Sequence, residues 1–218
     1  MRIPLAKYGV RQILLFGGGS LFGAALAAYY YLWYVAPLFA IIILLTLFFF
    51  RDPSRRVPEE PGVLVSPADG KVVELGQVQE DEFLHARALK MAVFMSLTDV
   101  HVNRVPCDGR VETLVHRPGR HHNAAREAAS RENESLAMVL AEVEGRNRIL
   151  VRQVAGIVAR RIVCDAEVGE AMVRGRRYGM IKFGSRLEVF VPVEAGFEPA
   201  VGMGQRVRGG ETVLGRFR

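Results

Sequence analysis

Arg51-Asp52-Pro53-Ser54-Arg55-Arg56-Val57-Pro58-Glu59-Glu60-Pro61-Gly62 divides the chain into two unlike parts. Three prolines and mixed charge cannot continue a helix, so the stretch reads as a linker, residues 51–62. Before it the sequence is apolar. After it, short runs rich in valine, isoleucine and leucine alternate with turn residues. Each side therefore has to be read on its own.

From Ile13 to Phe50 no residue carries a charge. As one straight helix this run would measure about 57 Å, against about 30 Å for the hydrocarbon core of a bilayer. One span is too long, and two short spans fit. The middle of the run, Tyr29-Tyr30-Tyr31-Leu32-Trp33-Tyr34, has the aromatic character of a membrane–water boundary. Pro37 follows at a place suited to starting a helix. The expected anchor, residues 1–50, is a transmembrane helical hairpin with helices over about 12–31 and 35–50. Arg2, Lys7 and Arg11 precede the run, and Arg51, Arg55 and Arg56 follow it. Basic flanks on both ends place them, and the rest of the chain, on the cytoplasmic face of the cell membrane. Cys107 and Cys164 would stay reduced there. A signal peptide has an apolar part of only about 7–15 residues and a small-residue cleavage site, which this run does not match. Gly17-Gly18-Gly19-Ser20 lacks the Lys-Ser/Thr of a phosphate loop and reads as close helix packing.

Composition agrees. Half of the 218 residues are hydrophobic, 24% are charged and two are cysteine, which excludes a disordered chain and a disulfide scaffold. An excess of 29 Lys+Arg over 23 Asp+Glu gives +6, which suits an anionic partner and equally plain surface solvation.

Beyond the linker, nine short runs read as strands: 63–65, 71–75, 91–96, 110–115, 136–143, 148–154, 157–163, 187–191 and 212–214. Helical pattern is scarce, at 80–88 and 122–131. Residues 207–212 read as a hairpin. The expected fold is mainly β: a compact antiparallel domain, barrel- or sandwich-like, over 63–218, on the N-terminal hairpin.

Four segments could carry chemistry. Ser66-Pro67-Ala68-Asp69-Gly70-Lys71 also reads as an ordinary turn between strands. In Asp99-Val100-His101-Val102-Asn103, the three polar residues would share one strand face, where a carboxylate can orient an imidazole. The same pattern also suits a solvated face. His116-Arg117-Pro118-Gly119-Arg120-His121-His122 lacks the spacing of a zinc site and better fits a basic loop facing phosphate headgroups. In Gly179-Met180-Ile181-Lys182-Phe183-Gly184-Ser185-Arg186, a Gly-Ser pair lies between two strand-like runs, without the G-x-S-x-G of a hydrolase elbow.

Together these segments, with Phe49-Phe50-Arg51-Asp52-Pro53, resemble the short, membrane-anchored form of phosphatidylserine decarboxylase. The chain departs from the family pattern at Ser135-Leu136, after Asn133-Glu134. Arg104 stands where longer relatives carry a histidine. The resemblance implies a pyruvoyl enzyme whose proenzyme cuts itself between Gly184 and Ser185. The products, 1–184 and 185–218, would stay together as a heterodimer. Ser185 becomes the pyruvoyl group, which forms a Schiff base with phosphatidylserine and yields phosphatidylethanolamine. Asp69 matches an aspartate that assists self-cleavage, and His101 is the choice for proton transfer or carboxylate recognition. The basic loop, through His116, Arg117 and Arg120, would meet the substrate. Membrane lipids are the implied partners, no metal or nucleic acid is implied, and a higher oligomer is left open. Two rivals remain at this stage: a decarboxylase of archaeal-type ether lipids, and a non-enzymatic, lipoyl-like β adaptor on the same anchor.

Overall fold

The computed structural model describes residues 4–120, 122, 129–142, 147–156, 162–182 and 185–218. The chain forms two compact units, Met1–Ser54 and Arg55–Arg218.

In the first unit, one helical run covers Lys7–Tyr29 and a shorter one covers Trp33–Phe49. A π-helical stretch, Ile13–Gly18, interrupts the first run. The chain enters and leaves at one end. Ala6 N donates to Phe50 O (2.8 Å) and Asp52 N to Pro4 O (2.7 Å). Leu5 bridges Arg51, so the described beginning and end of this unit lie together. The first run is long and apolar enough to cross a membrane; the second is shorter. Leu14, Phe22, Leu44 and the aromatic turn are largely exposed, as expected of a face meant for lipid. The close helix approach falls elsewhere than expected. A Cβ on Gly17, Gly18 or Gly19 would meet nothing within 4 Å, whereas one on Gly23 would lie 2.6 Å from the Phe39 ring. Gly9 and Gly23, not the triple glycine, admit the neighbouring aromatic rings.

The second unit is antiparallel β throughout its named pairings. Its strands are β1 (Val63–Val65), β2 (Gly70–Glu80), β3 (Ala86–Met95), β4 (Val102–Arg104), β5 (Gly109–Arg117), β6 (Ser135–Glu142) and β7 (Arg148–Val154). They continue with β8 (Ile162–Cys164), β9 (Ala171–Met172), β10 (Arg177–Ile181), β11 (Ser185–Pro192), β12 (Phe197–Pro199), β13 (Arg206–Val207) and β14 (Val213–Phe217). Eight form one curled sheet in the order β13-β2-β3-β11-β7-β6-β5-β9. Two small sheets, β1-β14-β12 and β4-β10-β8, complete the unit.

Side chains alternate across a strand, and this builds the core. Val93, Val151, Leu187 and Val189 point inward from the large sheet and meet Leu64, Tyr178, Ile181 and Leu214 of the small ones. The other face carries a smaller cluster, Ala88, Ala137, Val139, Leu150 and Phe190. A bulge at Val72/Glu74 matters here. It drops one residue from the ladder, so Glu74 pairs with Ala92 and moves from the core face to the outer face.

Three expectations change. The helix expected at 80–88 is a turn between β2 and β3. Glu80 Oε2 accepts from the N–H groups of Phe83 (2.9 Å) and Leu84 (2.7 Å), and His85 takes a positive φ of 51°. The hairpin expected at 207–212 is only a turn: β13 pairs with β2, while β14 pairs with β1 and β12. Of the helix expected at 122–131, residues 123–128 lie outside the described residues, and a helical turn follows at Ala129–Glu132.

Candidate active site

Cross-strand pairing aligns one row of residues across the large sheet: Arg117, Ser135, Val154, Arg186, Phe94, Lys71 and Arg206. Ser185 sits one residue beyond this row, opposite Met95. The segments following β3, β5 and β7, and those preceding β2, β6 and β11, therefore all emerge at one edge of the sheet. Asp69, His116, Arg117, Arg120 and Ser185 stand at or just beyond that edge, and His101 lies on the segment that leaves it from β3 toward β4. With strands about 4.8 Å apart, Arg117 on β5 lies about 14 Å along the row from β11.

Ser185 is fully buried. Its Oγ lies 3.9 Å from Met95 Sδ, its one hydrogen-bond partner among the described residues. The same sulfur lies 3.8 Å from Asn103 Nδ2. Asn103 Oδ1 in turn accepts from Gln153 Nε2 at 2.8 Å. Met95 and Gln153 belong to the inner face of the large sheet, since Gln153 stands opposite Leu187. Asn103 belongs to β4, on the small sheet. The group thus joins two sheets across the interior. Gly179 makes the approach feasible: a Cβ there would lie 2.3 Å from Val163 O and 3.2 Å from Gln153 Nε2.

His101 is fully buried. Its Nδ1 lies 2.9 Å from the Asp99 carbonyl oxygen. Since that oxygen only accepts, Nδ1 donates, and in the neutral ring Nε2 is the nitrogen able to take a proton. The expected carboxylate–imidazole pair is not formed as such. Asp99 lies in a turn before β4, and its carboxylate accepts from Ser96 N (2.9 Å) and Oγ (2.7 Å) and pairs with Arg206 (3.0 Å). The backbone of Asp99, rather than its side chain, orients the ring.

Asp69 is held by Arg55 (2.7 Å) and by Gly209 N–H (2.8 Å). No hydrogen bond joins it to Ser185 among the described residues. It fixes the turn entering β2, where Gly70 runs so close to β3 that a Cβ would lie 2.1 Å from Phe94 O. Arg104, at the position of the longer relatives' histidine, is buried, and its guanidinium donates to Gly175 O at 3.1 Å. The basic loop is balanced by acids. His116 faces Glu134 (3.0 Å), Arg117 pairs with Glu82, and Arg120 lies 3.9 Å from Glu132. Gly184 and His121 lie outside the described residues.

The outer face of β11 differs sharply. Arg186 and Glu188 are buried there and paired (2.7 Å). Glu188 also meets Lys90 (3.2 Å) and accepts from Ser130 Oγ (2.8 Å). Lys90 reaches Glu74 (3.0 Å), which also pairs with Arg186. A cavity lined by Glu74, Lys90, Ser130, Arg152 and Phe190 opens on this side. It is separated from Ser185 by the sheet itself.

The family model for phosphatidylserine decarboxylase matches residues 42–215. The chain belongs to the phosphatidylserine decarboxylase family. It is 47% identical over 167 residues to the phosphatidylserine decarboxylase proenzyme of Solidesulfovibrio magneticus, covering 77% of this chain and 76% of that one. It is 40% identical over 168 residues to the proenzyme of Desulfotalea psychrophila, covering 77% of each. It is 44% identical over 165 residues to that of Cupriavidus pinatubonensis, covering 76% of this chain and 75% of the relative. This decarboxylase-family chain is therefore an enzyme of phospholipid metabolism, and the adaptor reading is set aside.

Sequence reading missed Met95, which meets Ser185, and Gln153, which holds Asn103 behind that sulfur. One signal was present. Ile149, Val151 and Gln153 alternate along β7 toward the core, and an amide at the third of these positions breaks an otherwise apolar face.

Proposed function

We propose that the chain cuts itself between Gly184 and Ser185 and that the pyruvoyl group left at residue 185 carries decarboxylation of phosphatidylserine to phosphatidylethanolamine. The placement of Ser185 carries this reading. A fully buried serine opens a strand held by β3 and β7, with a thioether rather than a strong acceptor against its hydroxyl. That ladder fits the group, because residue 185 keeps its neighbours when the bond before it breaks.

Scission balances without an oxidant. Oγ adds to the Gly184 carbonyl carbon and yields its proton to a base. The C–N bond breaks, and the residue 185 nitrogen leaves protonated as an amine, giving an ester. Loss of the Cα proton and of the Cβ–Oγ bond frees the Gly184 carboxylate and leaves dehydroalanine. This tautomerises, water displaces ammonia, and residue 185 ends with a ketone at Cα and a methyl at Cβ. Once formed, the group supplies an electron sink for a bound amine.

His101, its ring oriented through Nδ1, is assigned proton transfer at Nε2. Asp69 is assigned support of scission by fixing the turn into β2. His116, Arg117 and Arg120, at the same sheet edge, are assigned the anionic headgroup, exchanging their glutamate partners for it. Residues 1–50 hold the enzyme in the membrane, with 63–218 on the cytoplasmic face, and the two products remain a heterodimer. Intact-mass measurement tests the core of this reading. Active wild-type enzyme should show two chains, the smaller blocked at its N-terminus, whereas Ser185→Ala should remain whole and inactive. An active enzyme with an unbroken chain and an ordinary serine at 185 would overturn it.

A further inference from the structure

The contact between Ser185 and Met95 raises a question that self-cleavage alone does not answer. A hydroxyl about to attack is usually held by a nitrogen or oxygen acceptor. Here Oγ meets a sulfur at 3.9 Å, and both residues are fully buried. The sulfur does not sit there loosely. Asn103 Nδ2 meets it from another side at 3.8 Å, and Gln153 fixes Asn103 at 2.8 Å. Gln153 Oε1 has no hydrogen-bond partner among the described residues, so the amide pair is buried at some cost and is not there merely to satisfy itself.

We propose that the Met95 thioether, clamped by the Asn103–Gln153 amide pair, holds the Ser185 hydroxyl for attack and then packs against the methyl group that replaces it. The inference rests on the self-cleavage reading above. Its logic is that one neighbour must serve two unlike groups in turn. Before scission the carbon at Cβ carries a hydroxyl, which needs an acceptor. Afterwards the oxygen has departed with the Gly184 carboxylate and Cβ is a methyl, which needs an apolar contact. A carboxylate or carbonyl would suit the first state and be left unpaired in the second. A leucine would suit the second and give the hydroxyl nothing. A thioether is a weak acceptor and a soft, polarisable apolar group, and it tolerates both. Asn103 and Gln153 act through the sulfur and are positioning residues.

The experiment follows the rate of scission in the full-length chain by intact mass after synthesis, for wild type, Met95→Leu, Met95→Gln and Asn103→Leu. Cooperative thermal unfolding shows which variants have folded. Met95→Leu keeps the volume and removes the acceptor, so scission should slow by about fivefold or more. Met95→Gln restores an acceptor and should cut faster than Met95→Leu. A site that only needed packing would order the two the other way, since leucine suits an apolar interior better. Asn103→Leu frees the sulfur and should also slow scission. Met95→Leu cutting within about twofold of wild type, or as fast as a folded Met95→Gln, overturns the proposal. Should Met95→Gln fail to fold, Met95→Leu decides alone by the same threshold. A wild-type chain that never cuts is a different failure: it removes the self-cleavage reading underneath.

Discussion

At the scale of single residues, the site depends on close backbone approach and on burial. Gly70 is the sharpest case. With Phe94 O only 2.1 Å from where a Cβ would stand, Gly70→Ala must push β2 away from β3 beside Met95. We expect a loss of about 1–3 kcal/mol in denaturant unfolding, together with slowed scission. An alanine variant of wild-type stability would show that the two strands can part without cost. Cys107 offers a second check. Burial, with Glu142 and Asp108 adding to it, pushes its thiol far above the ordinary range. Burial also raises the thiol of Cys164, which is only half-buried. Alkylation requires the thiolate. In the folded protein at mildly alkaline pH, iodoacetamide should leave Cys107 unmodified and label Cys164 slowly, and both should react on unfolding. Prompt labelling of native Cys107 would place it at the surface.

At the scale of elements, β11 begins at the proposed Ser185 site and carries a buried charge group on its outer face. Its outer face places Glu188 among Arg186, Lys90 and Ser130, all buried. Removing one member of such a group strands the others without compensation. Glu188→Ala should cost about 3–5 kcal/mol, read from chemical denaturation, far more than loss of an exposed pair such as Arg148–Glu112. Equal costs for the two would argue against the network. The sequence allowed most of these strands to be located, because inward valines and leucines alternate along them. It did not allow the turn at 81–85 to be seen. That turn exists because the Glu80 carboxylate caps two N–H groups, a contact that leaves no periodic trace. Nor could residues 207–212 be told from a hairpin, since nothing local says that the flanking strands go to different sheets. At the site, Gly184, Ser185 and His101 stood out by motif. Met95, Asn103 and Gln153 converge from β3, β4 and β7, and only the tertiary fold brings them together.

At the scale of the whole molecule, residues 185–218 supply β11 between β3 and β7, β13 against β2, and β14 against β1. The two products of the proposed scission should therefore co-elute in a non-denaturing column and separate only in denaturant. Separation in buffer alone would contradict this pairing. For the anchor, protease added to right-side-out cells should leave 63–218 intact and digest it in inverted vesicles. The reverse pattern would refute the cytoplasmic assignment. The interleaving also sets an order of events. A strand in the middle of a sheet is supplied most readily while it is still covalently attached, so under the proposed scission the uncut chain folds before it severs itself. A newly made precursor can then recover from unfolding at any dilution. Under the proposed scission, a matured molecule that unravels becomes two fragments that must meet again by diffusion, and its recovery falls as it is diluted. A working enzyme cut in this way would persist by the height of its unfolding barrier rather than by its capacity to reassemble.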